Sequence, residues 1–303
     1  MNNVVRWSLV LCLLLCLLFP AAALGEAAVV HPFPEGSAEA LLASMAAEQP
    51  GLPLQSAGPD DPAAAVNRML ADPESVLCDT QQALILSLQG YTDKDLREDL
   101  TPVCRLAVSP LYLVMDSAAA ADFGVNDAAS LLAYVREHEY ELNLARRIDA
   151  DPVDRAAVSL TDQLPLLTDI FTPEEVPEAL KTGAAAAAVV TGADLAASLK
   201  EENLLVLFTL GDTRTEAFPD LPCAPELGLD PVRPAELCLF LSSAASEDLV
   251  GKLAGITLPA GETLPLGYEP APLSGEAFAA EIADLFADYK KYMTAEGLFF
   301  YEE

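Results

Sequence analysis

The chain has 303 residues, 16 basic against 47 acidic, with a formal charge of −31 and a mean hydropathy of +0.30. An acidic excess of that size repels nucleic acid and anionic membrane surfaces and argues against either as a partner. It says nothing about fold, and the length allows two domains of ordinary size.

Residues 1–25 read as a secretory signal, with Arg6 near the start, an apolar core over 9–18, then Pro20 and the small residues of Ala23-Leu24-Gly25. The apolar run is short and wrongly flanked for a membrane span, and Leu15 is too large to precede a lipoprotein cysteine at Cys16. Removing 25 residues from 303 leaves 278, starting near Glu26. Export permits disulfides among Cys78, Cys104, Cys223 and Cys238, although three of these sit in apolar runs where a buried free thiol is the simpler reading.

Residues 27–30 form a first apolar run, followed by His31-Pro32-Phe33-Pro34-Glu35-Gly36 and by Ser37, a good N-cap for a helix with Ala38, Leu41, Leu42 and Met45 on one face. A strand, a glycine turn and a helix start leave unpaired backbone N–H groups that suit an anion, so Glu35, Gly36 and Ser37 are candidate ligand contacts. A second strand is expected over 52–55, a helix over 63–70 and a third strand over 76–78, ending at Asp79-Thr80-Gln81-Gln82. Open α/β sheets bind ligands at strand C-termini, which makes Thr80 and Gln81 the next candidates. Strands are expected over 103–107 and 111–115, and residues 117–121 read as a small-residue segment crossing between domains. A helix over 128–137 and a strand over 142–145 lead to Arg146 and Arg147. Asp151 then caps a helix that opens on Pro152. The alanine-rich run 184–190, between Gly183 and Gly192, is expected as a buried strand ending at Thr191 and Gly192, with Asp194 capping the next helix. After the apolar run 204–210 comes a turn at Gly211-Asp212 and an extended passage stiffened by Pro219, Pro222 and Pro225. A strand over 237–242, a helix over 247–253 and an amphipathic helix over 278–293 close the chain. Alternating strands and helices predict an α/β fold with mostly parallel sheets flanked by helices.

Three stretches carry a resemblance. The strongest is 204–230, LLVLFTLGDTRTEAFPDLPCAPELGLD, and the others are His31–Ser37 and Asp99-Leu100-Thr101-Pro102-Val103 followed by 111–115. In that order they resemble the substrate-binding proteins of tripartite tricarboxylate transporters, the Bug family, of which this chain looks like a divergent member. The resemblance implies a two-lobed, periplasmic-binding-protein-like (Venus flytrap) fold. Lobe 1 would comprise 26–117 and 223–303, and lobe 2 would comprise 118–222, with crossings near 117–121 and 222–225. It also implies a monomer in the periplasm or on the outer face of the cell membrane, closing on a small solute and passing it to membrane permease subunits. The family's small ligand-holding loop is replaced here by charges, so Arg146, Arg147 or Arg155 are the candidates to meet a carboxylate, and Thr191 and Gly192, at the end of their strand, are further candidate contacts.

An enzyme is hard to build from these residues. His31 and His138 are the only imidazoles, and no nucleophile elbow, P-loop, H-E-x-x-H or zinc-type cysteine spacing occurs, so neither a cofactor nor a metal is expected. A carboxylate is the solute class the resemblance implies. Glu35 and Glu39 oppose it, by about 1 kcal/mol at 4 Å in water and about 4 kcal/mol at an effective dielectric near 20. An amine or a neutral solute would avoid that repulsion. The alternative is a binding-fold protein that has lost solute binding and acts as an envelope interaction protein.

Overall fold

A computed structural model describes residues 27–58, 61–92, 96–148, 150–197, 199–200, 203–258, 264–265 and 267–298. The signal segment read over 1–25 lies outside them. Among the described residues, no helix is long and apolar enough to cross a membrane.

The strands, in chain order, are β1 (Ala28–His31), β2 (Leu54–Ser56), β3 (Ser75–Asp79), β4 (Leu100–Ser109), β5 (Leu111–Asp116), β6 (Asn143–Arg147), β7 (Leu167–Phe171), β8 (Ala187–Thr191), β9 (Leu204–Thr209), β10 (Ala235–Ser242) and β11 (Glu269–Ser274). They form two sheets, a six-stranded one ordered β11-β4-β10-β3-β1-β2 and a five-stranded one ordered β7-β6-β8-β5-β9. Period-two alternation places apolar residues on both faces of the central strands. In β3, Val76 and Cys78 pack with the helix Ala38–Glu48, while Leu77 packs with the helix Pro62–Ala71 and with Phe278 of the closing helix Gly275–Ala295. In β5, Leu111, Leu113 and Met115 pack with Leu131 and Val135, while Tyr112 and Val114 pack with Val176 and Leu180 on the other face. Each sheet is thus a layer between helices, and the two-lobed α/β expectation stands.

Pairing within the sheets is mixed. Four of the nine strand pairs are parallel and five antiparallel. Strands linked through a helix on one sheet are parallel, as crossover connections require. The strands that pass between sheets run the other way: β5 opposes β8 and β9, and β10 opposes β3 and β4.

The crossings also fall elsewhere than the sequence suggested. Residues 117–121 belong to a helix, Ser117–Asp122, whose first turn is capped by Asp116 through Ala118 N (2.9 Å) and Ala119 N (3.0 Å). Serine and alanine there fill a helix rather than a linker. The first passage is Pro110 alone, between β4 and β5. The second lies at Arg233 and Pro234, because Cys223, Ala224, Leu229 and Val232 are buried and the last three share the core of the second sheet. Thr191, not Asp194, is the cap of the helix Gly192–Ala196, and Asp194 answers it as the third member of a capping box. Cys78, Cys104, Cys223 and Cys238 are all free and buried.

A buried ionic network ties the closing helix to the first sheet. Glu236, on central strand β10, is 1 % exposed and meets Arg105 at 3.3 Å; Arg105 also reaches Glu281 at 2.6 Å. Burial raises the pKa of Glu236; Arg105 opposes that rise and the Glu281 carboxylate adds to it.

Candidate functional site

A cavity of about 630 Å³ opens between the strand C-terminal ends of the two sheets. Phe33, Asp61, Asp79, Thr80 and Tyr91 line it from the first sheet's side, and Ile148 and Asp151 from the second. Local folding rules put these residues there. Thr80 follows β3 directly, and Ile148 and Asp151 follow β6, so strand C-termini form the walls. Tyr91 and Ile148 are 62 % and 60 % exposed, an apolar group on each lip.

Three carboxylates face this space, and each already serves a helix start. Asp61 accepts from Ala63 N at 3.1 Å, Asp79 from Ala83 N at 2.6 Å and Asp151 from Asp154 N at 2.8 Å. Burial pushes the Asp79 carboxyl up from 3.8 to about 6, against the lowering effect of the Ala83 and Thr80 N–H groups. Burial also raises Asp151, outweighing the pull of Arg147. Asp79 therefore binds its proton more tightly folded than unfolded. Its contribution favours folding below about pH 4 and is lost as pH rises to about 6, a cost at neutral pH of roughly 3 kcal/mol. Asp79→Asn keeps an oxygen for Ala83 N and removes the charge. In urea unfolding at pH 7.5 the variant is expected to exceed the parent by up to roughly 3 kcal/mol, with the gap closing towards pH 4; a gap independent of pH would show that Asp79 is solvated.

The arginines point to opposite sides of β6. Arg146 forms a fork on Asp154 (Nε–Oδ1 2.9 Å, Nη2–Oδ2 3.1 Å) and reaches Glu296 just past the closing helix (2.9 Å), where Tyr292 also hydrogen-bonds Asp154. Arg147 meets Asp151 at 3.0 Å and Asp194 at 2.6 Å. Burial pulls Arg147 down, yet Asp194 and Asp151 together hold it above the ordinary arginine range.

Of the residues singled out from sequence, Thr80 lines the cavity and Arg147 stands behind Asp151. Thr191 joins that cluster through Asp194, whereas Gly192 donates its N–H to Pro110 O and lies against Gly267. Gln81 is buried at a left-handed φ of 72° and accepts from Tyr289 at 3.2 Å, behind the wall rather than in it. Glu35 and Gly36 are exposed, Ser37 caps its helix through Ala40 N (3.1 Å), and Pro32 and Phe33 rather than these three border the cavity. Glu39 accepts from Tyr268 at 2.7 Å. His31 is buried and neutral, its Nδ1 accepting from Phe33 N at 3.2 Å, and burial lowers its pKa. Sequence reading missed Asp61 and Asp79. An aspartate immediately before Pro62, and one at the end of an apolar strand before a helix, were the available signals.

Near the first crossing the two halves approach through backbone. A Cβ on Gly267 (φ +89°) would lie 2.2 Å from the Gly192 carbonyl carbon, and one on Gly192 would lie 2.7 Å from the Gly267 oxygen. Ser109 Oγ joins them, donating to Gly267 O (2.8 Å) and accepting from Ala193 N (3.1 Å).

No protein-family model matches the chain, and no curated protein matches its sequence. Solved structures share its fold. A TctC solute-binding protein from Polaromonas, without ligand, is 18 % identical with a TM-score of 0.67, over 88 % of this chain and 97 % of that one. The periplasmic binding protein BugD is 16 % identical with a TM-score of 0.68, over 89 % and 97 %. MatC from Rhodopseudomonas palustris, with bound malate, is 17 % identical with a TM-score of 0.62, over 87 % and 97 %. The fold is therefore that of the TctC and Bug solute-binding proteins, as the resemblance in the sequence implied.

Proposed function

We propose that this protein is an extracytoplasmic solute-binding protein, a divergent relative of the tripartite tricarboxylate transporter components, which captures a small solute between two lobes and delivers it to membrane permease subunits. The observation that carries this reading is the cavity walled by residues from both sheets, Asp79 and Thr80 on one side and Ile148 and Asp151 on the other. A solute touching both walls favours the closed arrangement over the open one by whatever it gains from the second wall. On this reading lobe 1 comprises residues 27–109 and 234–298, lobe 2 comprises 111–232, and bending is concentrated at Pro110 and at Arg233-Pro234. Binding and closure, not bond chemistry, is the work these residues support.

The test is mass spectrometry of the mature protein purified from cells, combined with solution scattering. One small molecule released per chain on denaturation is expected, together with a smaller radius of gyration when it is restored to the emptied protein. A chain that carries no solute and does not contract with carboxylates, amines or sugars would favour the envelope-interaction reading instead.

A further inference from the structure

The two halves also meet beside the cavity, through the end of the closing helix. Tyr289, Tyr292 and Glu296 fall at i, i+3 and i+7, so one face of the last turns is turned towards residues 146–155. Arg155 lies over the Tyr289 ring, 5.3 Å from its centre, and donates to Arg233 O at the second crossing (3.5 Å). Tyr292 donates to Asp154, and Arg146 reaches Glu296 at 2.9 Å. Ala150, between the cavity-lining Ile148 and Asp151, is buried in the same core cluster as Tyr289 and Met293, at a left-handed φ of 53°. The contact therefore runs from the second crossing to the cavity wall.

Its chemistry lets it part. The apolar share contributed by residues 146–155 is the methyl group of Ala150. Asp154 is buried, yet both arms of its Arg146 fork come from its own half, so withdrawing the helix leaves no buried charge without a partner. The Glu296 side chain is 28 % exposed and returns readily to water. Small polar contacts between domains are of the kind that form and break as domains move.

We infer that the last turns of the closing helix are a strap across the cleft, which engages residues 146–155 as the lobes close and releases them as they open. The strap shares with the solute the work of holding the closed arrangement, and a larger closed fraction raises the apparent affinity of any solute that selects it. The lobes and bending points are those of the solute-binding reading, but the test needs no solute.

The double variant Tyr292→Phe with Glu296→Gln deletes only the groups that reach across. Parent and variant, each as the mature chain emptied by unfolding and refolding, are compared at pH 7.5 by solution scattering and by amide hydrogen exchange. The variant is expected to have the larger radius of gyration. Its helix Pro152–Thr161 should exchange at least tenfold faster, while the helix Ala128–Glu137 of the same lobe keeps the parent's rate. Asp248→Asn, which removes an ion pair with Lys252 inside one helix, is the control and should leave both measurements unchanged. An unchanged radius in the double variant would overturn the inference, whatever its exchange does. Faster exchange in both helices would overturn it too, since the bonds would then hold the lobe together rather than the cleft shut. The solute-binding reading stands or falls separately, on whether a solute co-purifies.

Discussion

Replacing Arg147 with methionine is expected to cost about 3–5 kcal/mol, the penalty for leaving buried charges without a partner. The guanidinium is 12 % exposed, and it stands between Asp151 and Asp194, which are 16 % and 27 % exposed. Methionine fills much of the same volume, so the loss is electrostatic rather than a cavity effect. Two features make the assignment testable by denaturant unfolding. The deficit should shrink as pH falls, because burial already raises the Asp151 pKa and protonation removes the unpaired charge. Adding Asp151→Asn and Asp194→Asn to Arg147→Met should recover most of the loss, since the three groups form one unit and their effects are not additive. A single-variant loss below about 1 kcal/mol would mean the cluster behaves as an exposed ion pair.

Gly267→Ala should be the most damaging of the glycine substitutions. Its φ of +89° is one that L side chains rarely adopt, at a cost of about 1–3 kcal/mol. The new methyl group would also lie 2.2 Å from the backbone of Gly192, which no flexible side chain can relieve. Overpacking adds about 1–3 kcal/mol. Gly228→Ala is the matched control: it has a φ of +73° with nothing within 4 Å of its Cβ, so it carries the strain without the collision. The Gly267 variant is expected to lose at least about 2 kcal/mol more than the control, and to give a larger radius of gyration as the two halves part. Equal losses and equal radii would show that the contact between Gly192 and Gly267 is not needed to hold them together.

Much of the element order could be read directly. The strand at 187–191 was anticipated from its flanking glycines against the helix preference of alanine, and Asp151-Pro152 announced its helix by cap and first-turn chemistry. The crossings could not be read. Runs of small residues serve equally as linkers and as helices, and only the packing of Ala224, Leu229 and Val232 in the second sheet's core shows that the proline passage remains there. Arg146 and Arg147 illustrate the limit for the site. Adjacent residues of a strand face opposite ways, so one pair could not have met a single ligand together, and that much was available from sequence. Each has one near partner, Asp154 for Arg146 and Asp151 for Arg147; the second partners, Glu296 and Asp194, lie 150 and 47 residues away, at separations no local pattern encodes.

One consequence concerns the order in which the polypeptide can assemble. Strand β10 sits in the middle of the six-stranded sheet, hydrogen-bonded on both sides, yet it is made only after the whole of the other sheet. While the chain emerges from its N-terminus, β3 and β4 therefore have a vacant slot between them, and the half that begins first must finish last. The half threaded through its interior, residues 111–232, has all of its strands in one uninterrupted stretch and has no such wait.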